Sequence, residues 1–139
     1  MLDFEVRKRS SAENNGLVLL RLTVGLMLLV AGVQKAVFPE QLSEFASNMA
    51  AINLPENAVY VVYFFEIAAP LMIILGIASR LAAGFVVLYM LIALLVISSA
   101  NLLVLIPGRG HALEAEFMYL LGALAICFLG SGDKAIFPD

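Results

Sequence analysis

The sequence predicts an all-α membrane protein: a four-transmembrane-helix bundle with a short amphipathic helix between spans 1 and 2. Three observations lead there. Hydrophobic residues make up 63% of a 139-residue chain whose mean hydropathy is +1.01, more apolar surface than so small a globule can hide from water. The apolar residues gather in runs of lipid-spanning length, since a helix needs about 20 residues to cross a hydrocarbon core of ~30 Å. Ionisable side chains stand inside those runs at helical spacing, which points to a buried interior face.

Residues 1–15 form a polar tail carrying Arg7, Lys8 and Arg9. The first span covers residues 16–37. Basic residues followed by an apolar run also describe a secretory signal, but this run is too long for a signal core and Arg21 interrupts it. Pro39 then opens a polar stretch in which Leu42, Phe45, Met49 and Ile52 recur at helical spacing, with the proline in the first turn where its missing N–H costs nothing. Residues 39–53 are predicted as an amphipathic helix on the membrane surface, closed by Pro55. The second span covers residues 58–79 and ends at Arg80. The third, 81–106, follows almost at once. Pro107-Gly108-Arg109-Gly110 breaks the chain, the fourth span covers 112–129, and Gly130-Ser131-Gly132 leads into a polar tail, 133–139. Residues 16–132 read as a single domain without internal repeats.

Orientation follows from the basic residues near the span ends. Arg7, Lys8, Arg9, Arg80 and Lys134 fall on one side, Lys35 and Arg109 on the other. The richer side is expected to be cytoplasmic, so both termini are expected inside and the amphipathic helix and Pro-Gly loop outside.

Charges within the hydrocarbon layer cost about 2.5–3.5 kcal/mol each on insertion scales, so each needs a reason. In the first span Arg21, Gly25, Leu28, Gly32 and Lys35 are spaced by 4, 3, 4 and 3 residues, which aligns them on one face. The glycines let another helix approach closely along that stripe. Lys35 lies about 21 Å along the axis from Arg21, at 1.5 Å per residue, so the two belong to opposite ends of the span. In the second span Glu66 lies about two turns below the outer surface. Pro70, four residues later, cannot donate to its carbonyl. Ser98, Ser99 and Asn101 lie near the outer end of the third span. Glu114 and Glu116 begin the fourth, about 200° apart around the helix; Glu116 is deeper and is the one expected to face inward. Lys35, Glu66, Ser98, Asn101 and Glu116 thus share one depth, and a polar pocket in the outer third of the bundle would collect them. Arg21 is expected to reach up toward Glu66 or down to lipid phosphates.

Each feature also has a plain structural reading. Arg21 and Glu66 can be an ion pair that sets helix register, Arg80 and Lys35 boundary anchors, and the serines partners of their own helix. The tyrosines at 60, 63, 89 and 119 suit interfacial or packing roles, and His111 is a loop residue without ligand partners at metal spacing. Nothing suggests nucleic acid, as there is no basic stripe. Cys127, the one cysteine, cannot form an internal disulfide and reads as apolar filler.

LRLTVGLMLLVAGVQKAV, with Arg21, Gly25, Gly32 and Lys35 in order, resembles the start of DoxX family membrane proteins. FFEIAAPLMIILGIASRLAA, with Glu66, Gly76 and Arg80, resembles that family's next signature, and an acidic residue opening the fourth helix with LGSGD closing it is similar too. The resemblance runs from about residue 17 to residue 132. It implies a four-helix protein of the bacterial plasma (inner) membrane, associated with redox metabolism. The related DoxD subunit belongs to a thiosulfate:quinone oxidoreductase, and other relatives partner redox or thiol-handling enzymes. Gly25, Gly32, Pro70 and Gly76 are the expected helix-packing positions.

The leading expectation is an accessory or quinone-interacting subunit of a membrane oxidoreductase, with Arg21, Lys35, Glu66 and Glu116 hydrogen-bonding a small hydrophobic ligand. No metal, haem or nucleotide motif is present; the sequence requires no cofactor, and quinone is compatible with the pocket. Two alternatives stand beside it: a small proton-coupled transporter using Glu66, and a non-catalytic assembly partner docking a soluble redox enzyme through residues 39–54. Self-association is compatible with all three. These residues assign no catalytic step to the chain itself.

Overall fold

The computed structural model describes residues 9–51, 53–101, 105–107, 110–111 and 113–139. Helix α1 spans Ser11–Val37. It starts before the predicted residue 16 because Ser10 and Glu13 form a reciprocal capping box: Glu13 N–H donates to Ser10 Oγ at 3.2 Å, and Ser10 N–H to the Glu13 carboxylate at 2.8 Å. Its two faces are inverted relative to a helix in water. Arg21, Gly25, Leu28 and Gly32 are buried, while Leu19 is 68% exposed and Leu22, Leu26, Met27, Val30 and Val33 also face outward. An apolar exterior around a charged, glycine-lined interior is stable only if the surrounding solvent is apolar.

Helix α2, Pro39–Ala51, buries Met49 and packs against α1 and the next helix. It ends short of the predicted residue 53 because Asn53 turns into the left-handed region at φ 61°, which asparagine tolerates, and Leu54 N–H closes back onto Met49 O. Ile52 lies outside the described residues, as does the side chain of Phe45.

The second long helix, Asn57–Leu75, is not regular. A 3-10 turn, Glu56–Tyr60, leads into α3, Val61–Tyr63; a π-turn, Phe64–Ala68, follows, and α4 covers Ala69–Leu75. Pro70 explains the interruption. It has no N–H to close an α-turn on Glu66, and the chain widens, with Ala69 N–H donating to Phe64 O instead. The helix ends at Leu75 rather than the predicted residue 79, because Gly76 adopts φ 73° and Ile77 N–H and Gly76 N–H fold back onto Met72 O and Ile73 O.

Helix α5 covers Ser79–Asn101, and Leu105 and Ile106, expected to continue the span to residue 106, lie instead in a two-stranded antiparallel pairing. Strand β1, Leu105–Ile106, pairs antiparallel with β2, Gly110–His111, in register Leu105 to His111 and Ile106 to Gly110. Pro107, in a turn, follows the first strand. Helix α6, Glu114–Leu129, runs back across the bundle. Helices α1, α4, α5 and α6 pack around one core that includes Leu28, Ile73, Val86 and Ile126, with Ala82, Ala83 and Ala123 fully buried at the contacts. Small residues at those crossings bring backbones close, which supplies packing where lipid offers no hydrophobic drive. Cys127 is half-buried against this core. Among the described residues, Ser11–Val37 and Asn57–Leu75 are long and apolar enough to cross a membrane, and Ser79–Leu95 is a shorter apolar segment.

Candidate functional site

The inward stripe of α1 ends at Gly32 and Lys35, and the backbone of the π-turn lies directly against it. A Cβ on Gly32 would stand 2.6 Å from Glu66 O. Only glycine permits that approach, and it places the Glu66 carboxylate beside the last turn of α1. Lys35 Nζ donates to Glu66 Oε1 at 2.5 Å and to Oε2 at 2.7 Å. Tyr89, from α5, donates its hydroxyl to Oε1 at 2.5 Å. Glu66 is 3% exposed. A carboxylate survives such burial when paired and hydrogen-bonded, and this one has both. The Tyr89 ring is itself fixed, stacked on Phe65 with centroids 5.2 Å apart and planes 5° from parallel.

These groups line a cavity of about 310 Å³. Leu28, Ala31, Met90, Ala93 and Ala115 provide apolar walls; Lys35, Glu66, Tyr89, Glu116 and Tyr119 provide the polar points. α1, the π-turn, α5 and α6 therefore each contribute to one enclosure. Glu116 lines it and Glu114 is exposed, the outcome their angular separation requires. An apolar chamber with a few convergent hydrogen-bonding groups suits a small, largely hydrophobic molecule that carries polar atoms on its edge.

Arg21 does not join this group, and the expected contacts with Glu66 or lipid phosphate are replaced by a different role. Arg21 is 3% exposed. Nε donates to Ile73 O at 2.9 Å, Nη2 to Ile74 O at 2.9 Å, and Nη1 to Ser131 O at 2.7 Å. The last carbonyls of a helix lack intrahelical partners and carry the negative end of its dipole, so a planar cation with a fork of donors fits there. The reason lies in distance: Arg21 is more than three turns from Lys35, level with the far end of α4. Ile136 N–H and Phe137 N–H take the next two carbonyls, of Leu75 and Gly76. Around this clasp Asn14 pairs with Asp133, Lys134 donates to Asn15, Arg9 donates to Leu129 O, and Asp139 accepts from the backbone of Arg80 and Ser131. Gly76 belongs to the clasp, since its left-handed cap leaves room for Arg21 and Ala135. Gly25 is a packing position: a Cβ there would stand 2.5 Å from Ile74 Cγ1 and 3.1 Å from Pro70 O.

The backbone of Ser98 and Asn101 is helical within α5; their side chains lie outside the described residues. Tyr89 and Tyr119 were not among the residues expected in the pocket. The available signal was Tyr89 in mid-span, where a phenol surrounded by apolar residues needs a hydrogen-bond partner.

The residues that separate into these two groups are those of the motifs singled out in the sequence. Arg21, Gly76 and the Gly130–Gly132 segment build the clasp; Gly32, Lys35 and Glu66 build the cavity wall. No curated protein and no solved structure matches the chain. The family model for DoxX matches residues 16–99, covering the stripe of α1, the π-turn and nearly all of α5. The chain is a membrane protein of the DoxX family.

Proposed function

We propose that this protein crosses the bacterial inner membrane four times and serves as a quinone-interacting subunit of a membrane oxidoreductase system, holding the quinone head in the Glu66 cavity. One observation carries the reading. Glu66, Lys35 and Tyr89 form a buried hydrogen-bonded cluster on the wall of an otherwise apolar chamber, with Glu116 and Tyr119 also on it. A quinone needs an apolar slot for its ring and hydrogen-bonding groups at its two carbonyl oxygens. The remaining proton of Lys35 and the hydroxyl of Tyr119 are donors of that kind, while Tyr89 spends its proton on Glu66.

Sidedness supports the orientation. Arg9, Arg80 and Lys134 gather at the clasp, at the opposite end from Lys35, and by their excess the clasp end is the cytoplasmic one in this reading. The cavity then opens in the outer part of the membrane. α5 and α6 complete four crossings, with the strand pair outside.

The test is equilibrium binding of 2,3-dimethoxy-5-methyl-1,4-benzoquinone to the full chain in lipid nanodiscs. Wild type is expected to bind saturably. Glu66→Gln is expected to weaken binding about tenfold or more, because it loosens Lys35 and Tyr89 together, each held by a charge-assisted hydrogen bond of about 1.5–3 kcal/mol. Equal affinity for both proteins contradicts the reading.

A further inference from the structure

The polar cavity has an apolar neighbour. Beneath α2, Met49, Leu54, Ala58, Val62, Phe65 and Ile92 enclose a second space of about 150 Å³ whose lining has almost no polar surface. Tyr89 lines both spaces. Its hydroxyl is bonded to Glu66 on the polar side, and its ring is stacked on Phe65, a wall of the apolar side. One compartment therefore presents a carboxylate, an ammonium and phenols, the other presents almost only hydrocarbon and ring surface, and Tyr89 is common to the lining of both.

From this shared wall we infer that the two spaces are the halves of one site for an amphipathic lipid, the hydrogen-bonding head in the Glu66 cavity and its apolar chain passing Tyr89 into the slot beneath α2. The inference rests on the quinone reading and deepens it. It selects long-chain over chainless molecules and gives α2 the task of roofing the chain. The free energy of the slot comes from close packing, because a chain leaving lipid gains little from the hydrophobic effect. Discrimination must therefore depend on the shape of the slot. Filling it should repel the chain and leave the head compartment untouched.

The experiment compares the chainless benzoquinone above with its decyl homologue in nanodiscs, with affinities expressed as mole fraction in the bilayer so that partitioning cancels. Ala58→Trp and, separately, Leu54→Phe place bulk in the slot. The expected result is a loss of about tenfold in decyl affinity, the usual scale of overpacking, with chainless binding within about twofold of wild type. Retained chainless binding also shows that each variant is folded. In wild type, a decyl chain bearing a terminal diazirine is expected to label residues of α2 and the segment 58–65. Unchanged decyl affinity in both variants, or labelling confined to outward residues such as Leu71 and Leu88, overturns the inference while leaving the head site standing. Absence of chainless binding to wild type overturns both.

Discussion

Glu66 is held inside the bundle by hydrogen bonds from two side chains of other helices, and the cluster is only as stable as its weakest member. Removing Lys35 leaves a carboxylate at 3% exposure with a single phenol for company. Lys35→Met is therefore expected to lower unfolding stability toward the low end of about 3–5 kcal/mol, since the lysine keeps some contact with solvent. Lys35→Met combined with Glu66→Gln is expected to recover most of that loss, because the amide still accepts from Tyr89. Thermal unfolding of wild type, both single variants and the double variant in nanodiscs checks this, and additive losses would contradict it. At the other end Asp139 makes a different kind of bond. Burial pushes its carboxyl up, but hydrogen bonds from the Arg80 backbone and from Ser131 outweigh that and hold it below the usual range. A carboxyl depressed in the folded state contributes stability above its unfolded value, about 3.9, and loses it as pH falls through the lower folded value. The tail is thus expected to stay docked at pH 5 and to loosen below about pH 4. Hydrogen exchange at Ser131 and Phe137, followed from pH 6 to pH 3, reads the change; uniform protection across that range would contradict it.

At the scale of elements, helix approach is governed by which glycines face a neighbour's backbone. Gly32 meets Glu66 O, and a backbone atom cannot swing aside as a side-chain end can. Gly32→Ala is expected to cost about 1–3 kcal/mol and to weaken the Lys35–Glu66 pair with it. Gly16, on the same helix, has nothing within 4 Å of a Cβ, and Gly16→Ala is expected to stabilise by about 0.5–1 kcal/mol. Unfolding midpoints in one lipid composition compare them; equal effects would remove the close-approach argument. Periodicity made the inward stripe of α1 legible, because Arg21, Gly25, Leu28 and Gly32 recur at helical spacing and buried positions follow that spacing. The same logic separated Glu116 from Glu114. The partners of Arg21 were not legible, because they are carbonyls of Ile73, Ile74 and Ser131, and a backbone oxygen has no letter of its own. Pro70 announced a freed carbonyl at Glu66, but a proline alone does not say whether the chain kinks or widens into a π-turn. The end of α5 was overrun for a related reason: Leu105 and Ile106 are apolar enough to extend a span, and only the pairing across the Pro-Gly break makes them a strand.

For the molecule as a whole, the bundle divides its ionisable groups by height. One end is a clasp in which Arg21 and the tail satisfy the last carbonyls of α4, a necessity where no water is present to do so. The other end is a chamber in which Lys35, Glu66, Tyr89, Glu116 and Tyr119 meet. Shared depth, set by helical rise, led to an expected pocket of Lys35, Glu66, Ser98, Asn101 and Glu116 from four spans, and of these Lys35, Glu66 and Glu116 line the cavity. Tyr89 escaped the same reasoning because a tyrosine in an apolar run reads as packing until its hydroxyl is given a partner. The central claim is that carboxylates from different helices face one ligand-sized enclosure. A hydrophobic carbodiimide, which modifies carboxyl groups within lipid, measures this directly in the full chain with modification mapped by mass spectrometry. Saturating benzoquinone is expected to slow modification of Glu66 and Glu116 together while leaving exposed Glu114 unaffected. Protection of neither, or equal protection of all three, would contradict a common enclosure.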